Sequence, residues 1–339
     1  MKTLIRGVLG LIVILGVGGG GYYAYVQKTK VAYTSEVQVV SGELKQENKP
    51  ASRIVMERAM QVVREEKPTP PQSSRFYAVV ARQYYENRQN NKEYATSTLL
   101  EILHEIKKGD SQEIKNKPIG DAFWVSPQAP FSPNAGEGER FVIDAGFSYT
   151  VPSPPAFMSD EYKVALEVVK DASDNRTPEQ GASINFWGGI PGTEAPAGIW
   201  QNRLWTVSKK YGLEDEKYAY VQMVLAESVA DSFMECWKIK YTYWTKRPDM
   251  VDTRIQTAMP NPPFPAYVSG HSTVSFTAAT VLAQFFPEDA VTYLRDAEEA
   301  KNSRLWAGIH FPYDNEEGKK LGIQVGEYVI QKLKIEKAL

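Results

Sequence analysis

Apolar residues recur at helical spacing through most of the chain after residue 52, while two-residue strand alternation is scarce. A chain of this pattern can bury a core only by packing helix on helix. Helices are predicted over Arg53 to Glu66 and over Arg75 to Lys108 (one or two), with the proline-rich run Lys67 to Ser74 as a break. More are predicted at Ser159 to Ala172, Thr193 to Tyr211, Glu214 to Trp244, His271 to Phe286, Pro287 to Ala300 and Asp314 to Lys334. The stretch from Ala172 to Gly192 reads as turns. Residues 117–157 hold Pro127, Pro130, Pro133 and an Asn134-Ala-Gly-Glu-Gly138 turn, and a loop this long in a compact body tends to carry function. The expected fold class is mostly α, a helical bundle with long Pro/Gly-rich loops.

Composition removes several function classes. A hydrophobic fraction of 42% is too high for a disordered chain. With 39 Lys+Arg against 41 Asp+Glu, the net charge of −2 argues against a nucleic-acid binder. One cysteine, Cys236, can form neither an intrachain disulfide nor a thiolate zinc cage. Lys2 and Arg6 precede the uncharged run Gly7 to Val26, which has the order of an export signal and roughly the ~20 residues that span a bilayer. Residues 1–29 are read as a signal-anchor or a signal peptide. The anchor is favoured because no small-x-small cleavage site follows. Residues 30–52 read as a polar linker. Both readings put the remainder on the periplasmic or extracellular side, tethered to the membrane at most once.

Three segments carry chemistry. In the first, Lys240 and Arg247 lie seven apart on a predicted helix, so both should share one face and lean toward one point. Two cations facing one point suit a tetrahedral oxyanion, and Pro248 favours a stop just after them. In the second, Ser269-Gly270-His271 opens a helix, offering a hydroxyl, free N–H groups and an imidazole for proton transfer. In the third, Ser303-Arg304 is followed by Gly308, His310, Pro312 and Asp314. Arg304 adds a third cation. Gly308 permits a sharp exit, Pro312 fits a first turn, and Asp314 can fix the tautomer of His310. Each segment alone is an ordinary charged face, helix cap or ion pair. Together they place two of the chain's three histidines in one ordered pattern.

That pattern, Lys-x6-Arg-Pro, Ser-Gly-His, Ser-Arg-x5-His-x3-Asp, resembles the signature of the type 2 phosphatidic acid phosphatase and vanadium-dependent haloperoxidase superfamily, over roughly Ala230 to Gly326. Val268 departs from it, standing where the family usually has proline. The resemblance implies a single domain over 53–339 with its motif-bearing core at 230–326. It makes Lys240, Arg247, Ser269, Gly270 and Arg304 the cradle for vanadate or phosphate. His310 would be the vanadium ligand or the attacking nucleophile, His271 the acid–base and Asp314 the residue orienting His310. Trp237 and Phe264 match aromatic positions beside the metal site of the vanadium chloroperoxidases, the soluble branch that the chain is most similar to. They are candidates for a halide or substrate pocket. The resemblance thus implies a vanadate cofactor with halide and hydrogen peroxide as substrates. Its alternative is an exported acid phosphatase, without cofactor, acting through a phosphohistidine at His310. A catalytically silent anion-binding protein of the envelope is a third reading.

Overall fold

The structure, a computed structural model, describes residues 49–88, 94–110, 113–114 and 117–338. The predicted signal segment and most of the linker lie outside the described residues. Ten α-helices and no β-strand occur among the described residues, so the mostly α reading stands. None of these helices is long and apolar enough to cross a membrane.

The first three helices are α1 (Ala51–Glu66), α2 (Pro70–Asn87) and α3 (Thr96–Gly109). The predicted break at Lys67 to Ser74 is shorter than expected. The Thr69 hydroxyl accepts the Gln72 N–H, the Gln72 side chain accepts the Thr69 N–H, and proline needs no intrahelical donor in a first turn. Pro70 and Pro71 therefore start α2 rather than interrupt it. The same chemistry corrects the turn assigned between Ala172 and Gly192. After α4 (Asp160–Asp174), Thr177 and Gln180 form a second capping box that opens α5 (Pro178–Trp187).

The remaining helices are α6 (Ala195–Tyr211), α7 (Asp215–Tyr243), α8 (Gly270–Phe285), α9 (Ala290–Trp306) and α10 (Pro312–Leu333). The helix predicted from Pro287 begins instead as a short 3-10 turn, Pro287–Asp289, and then runs on to Trp306, which brings Arg304 into the last turn of α9.

α8 is the central helix. It is buried along almost its whole length and is flanked by α6, α7, α9 and α10. The approach of α10 is unusually close. A β-carbon at Gly318 would lie 2.6 Å from the Ser269 carbonyl oxygen, and one at Gly322 would overlap the Thr273 carbonyl. Glycine at these positions lets the two main chains meet, and hydrogen bonds cross the seam. The Ser269 N–H donates to the Asp314 carbonyl (2.9 Å), and the Thr277 hydroxyl donates to the Gly322 carbonyl (3.0 Å). The starts of α8 and α10 are thereby held side by side.

The long loop forms no α-helix, but it is anchored. The buried Asp231 carboxylate accepts the N–H groups of Phe141, Val142 and Ile143 at 2.7, 2.8 and 2.8 Å. Earlier in the loop, the Phe131 N–H donates to the Pro263 carbonyl (3.0 Å).

Two outcomes follow. Gly322→Ala overpacks the α8–α10 seam and lowers unfolding free energy by about 1–3 kcal/mol in denaturant titration. Asp231→Ala leaves three N–H groups without their acceptor, costs about 2–3 kcal/mol, and opens residues 139–144 to limited proteolysis under native conditions.

Candidate active site

The three chemistry-bearing segments meet. α7 carries Trp237 and Lys240 and ends at Trp244, which takes a left-handed conformation (φ 53°). Arg247 therefore does not share a helix face with Lys240, as the spacing suggested. It lies past the reversal, on extended backbone before a 3-10 turn at Pro248–Met250. The two cations still converge, because the chain turns back rather than continuing along one axis.

Lys240, Arg247 and Arg304 are 0%, 0% and 1% exposed. Lys240 Nζ donates to the carbonyls of Pro265 (2.8 Å) and Ala266 (2.7 Å). Arg247 donates to the carbonyls of Ile309 (2.8 Å) and Phe264 (3.1 Å), and its Nη1 lies 3.2 Å from His310 Nε2. Arg304 bonds the Ser303 hydroxyl (3.0 Å), the Met259 sulfur (3.2 Å) and the Ile184 carbonyl (3.3 Å). None of these partners is a carboxylate, and Arg247 Nε is buried with no partner at all. Burial pulls Arg247 down to about 10 and Arg304 down to about 9, the latter helped by the charge of Arg247. Burial likewise lowers Lys240 and raises Asp314, the one carboxylate among them.

The imidazoles adopt opposite tautomers. His310 Nδ1 lies 2.9 Å from Asp314 Oδ2, which also accepts the Phe311 N–H (3.0 Å). A carboxylate accepts and a guanidinium donates, so His310 is protonated on Nδ1 and keeps its lone pair on Nε2. His271 Nε2 lies 2.7 Å from the Trp187 carbonyl, which assigns its proton to Nε2 and its lone pair to Nδ1. Both rings are held well below 6.5, by burial first and then by the surrounding cations, Arg304 foremost for His271 and Arg247 for His310.

His310, His271, Arg304 and Gly270 line the buried end of a 380 Å³ cavity, beside Trp237 and Phe264, whose rings are 4.8 Å apart. Lys240, Arg247, Ser269 and Asp314 are not part of its lining. The Ser269 hydroxyl caps α8 by accepting the Ser272 N–H at 3.4 Å.

Three buried cations gather with Asp314, and Asp249 also acts on Arg247, so the set keeps a net positive charge, and buried charge is costly without a counterion. An oxyanion satisfies this donor set. Vanadate and phosphate both suit it in charge and in acceptor chemistry, and the His310 Nε2 lone pair would reach the central atom by giving up the hydrogen bond it accepts from Arg247. Vanadium would enter here as an anion. Among the described residues, no group of three or more His, Cys, Asp or Glu side chains could hold a metal cation.

The sequence reading did not find the last turn of α5, whose Ile184 and Trp187 carbonyls hold Arg304 and His271. The signal for that helix, Thr177-Pro-Glu-Gln180, was present. Phe131, which lines the outer cavity, carried no comparable signal. His104 is exposed on α3, away from this site, and Cys236 is a buried thiol donating to the Val268 carbonyl at 3.5 Å.

Comparison with known proteins agrees with the fold. The family model of the VCPO second helical-bundle domain matches residues 292–336, which carry Arg304, His310 and Asp314. A bacterial vanadium-dependent iodoperoxidase superposes with a TM-score of 0.67 at 19% identity, over 85% of this chain and 97% of that one. The apo form of a bacterial vanadium-dependent chloroperoxidase gives a TM-score of 0.51 at 14% identity, over 61% of this chain and 57% of that one. The corresponding holo form gives 0.53 at 14%, over 66% and 59%. No curated protein matches the chain by sequence. The chain thus has the helical vanadium haloperoxidase fold, as its resemblance to the superfamily implied.

With only three histidines, nitrogen-15 spectra of the full chain read each tautomer directly. His271 is expected as the Nε2–H form and His310 as the Nδ1–H form, both still neutral as pH is lowered through 6.5. Added vanadate or phosphate offsets the cations that depress His271, so its protonation should move to higher pH.

Proposed function

We propose that this protein is a vanadium haloperoxidase-type enzyme that binds vanadate and oxidises halide with hydrogen peroxide. The observation that carries the reading is the set of three buried cations, without carboxylate hydrogen-bond partners, around the unprotonated Nε2 of His310, which accepts from Arg247. The vanadium haloperoxidase fold supports choosing vanadate as the anion.

In this reading Lys240, Arg247, Arg304 and the Gly270 N–H, at the start of α8, hold the negative oxygens. His310 ligates through Nε2 while Asp314 holds the opposite nitrogen, keeping that lone pair free of a proton. When bound, vanadate supplies the electrophilic activation of peroxide that makes it an oxidant for halide. His271 exchanges protons at Nδ1, since its other nitrogen is fixed on the Trp187 carbonyl. Trp237 and Phe264 give the cavity an apolar wall, which strips water from a halide. The partners are small molecules. The export signal read at residues 1–29 would place the reaction outside the cytoplasmic membrane.

A second reading rests on the same lone pair, because an unprotonated His310 Nε2 is also what attack on phosphorus requires. Phosphomonoester hydrolysis is therefore the alternative.

Full-length protein given vanadate and peroxide should oxidise iodide or bromide, and vanadate should raise its Tm. His310→Ala should abolish turnover, and Arg304→Ala should lower kcat/KM by about 10²–10³. Phosphate-ester hydrolysis by the vanadate-free protein, with no halide oxidised at any vanadate concentration, would transfer the assignment to a phosphatase.

A further inference from the structure

The cavity is larger than its inorganic guests need. A tetrahedral oxyanion fills a few water volumes of about 30 Å³ each, whereas the cavity holds 380 Å³. Its outer half, the side of the more exposed lining residues, is lined by Phe131, Ile190, Pro191 and Pro262, with Gln128, Thr193 and Asn261 as polar neighbours. No carboxylate lines any part of it, and the one charged side chain of the outer half is the exposed Lys67.

This wall is rigid. The Phe131 carbonyl accepts Trp237 Nε1–H (3.1 Å) and the Tyr241 hydroxyl (3.2 Å), and its N–H donates to Pro263 (3.0 Å). Its ring lies 6.4 Å from that of Phe264, which in turn meets Trp237. A continuous aromatic surface therefore runs from the cations out to the mouth. Prolines with fixed φ and a ring pinned through its main chain lose little freedom on binding, so contact made there is retained as affinity.

Resting on the oxyanion reading above, we infer that the outer half binds the flat apolar part, above all an aromatic ring, of a neutral or anionic organic substrate. The reacting end of that substrate meets the oxyanion between His310 and Arg304. Organic cations are disfavoured by the positive field of the inner end and by Lys67. Under the haloperoxidase reading the molecule is the acceptor: halogen at the hypohalous level, oxidised by peroxide, bonds to a ring carbon in place of hydrogen, and the departing ring proton and the hydroxyl leave as water. Under the phosphatase reading it is the ester's leaving group.

Phenylphosphonate and methylphosphonate share a head group and differ only in the part that reaches the outer half. Calorimetric titration of the full chain should find the phenyl compound at least tenfold tighter. Phe131→Ala should shrink that ratio to threefold or less, with methylphosphonate binding reporting that the cation site survives. Ile190→Asp, at a half-exposed position, provides an independent variant and should weaken phenylphosphonate more than methylphosphonate. Equal affinities in the parent protein, or a ratio untouched by both variants, would overturn the inference while leaving the oxyanion site standing. Failure of both phosphonates to bind would overturn the oxyanion reading and this inference together.

Discussion

The contact between α8 and α10 sets the geometry of everything else. Where Gly318 and Gly322 face Ser269 and Thr273, the helices touch main chain to main chain, leaving no side chain between them to yield. The Ser269 N–H bonds the carbonyl of Asp314, so the residue that caps α8 is tied directly to the residue whose carboxylate meets His310 Nδ1. Site and core are consequently one construction. The imidazole junction at 308–312 sits where α9 hands over to α10, and its position is fixed by the same seam.

The second determinant is charge. A folded protein normally buries a guanidinium against a carboxylate, and here three cations are buried against carbonyls, a sulfur, a hydroxyl and an imidazole. Carbonyl dipoles soften the cost without cancelling it. The last turn of α5 contributes two of them at the negative end of a helix dipole, one to Arg304 and one to His271. The free protein thus holds a positive field in place before any anion arrives, and the anion need not reorganise the site to be bound.

Much of this was legible in the sequence because the informative residues sit at chain-local signals. Ser269-Gly270-His271 is a helix start, Gly308 to Pro312 is a helix-to-helix turn, and the spacing of His310 to Asp314 is one helical turn; all three are local properties. What was not legible depends on long-range contact. The left-handed residue Trp244 could not be foreseen from composition, and it overturns the shared-face argument for Lys240 and Arg247 while preserving their convergence. The close-packed glycines of α10 reveal their purpose only once α8 lies against them. Proline misled at Lys67 to Ser74, and Pro178 went unread within the stretch taken as turns before Gly192. There its role as a helix starter was hidden unless read together with the threonine before it and the glutamine two or three residues on.

The anchoring of the long loop has a further consequence. Three successive amides grip one aspartate on α7, Phe131 is clamped separately to α7 and to the proline run, and the residues between these posts are held too, by Ser132 on Asp110, Arg140 on Glu235 and Gly136 against the main chain of Lys238. Of the residues in this loop, Gln128 and Phe131 are the ones that line the cavity, so drift between the posts leaves its lining as it is. Substitution of those two side chains would alter what the cavity presents to a guest while the main-chain bonds of Phe131 to α7 stay in place.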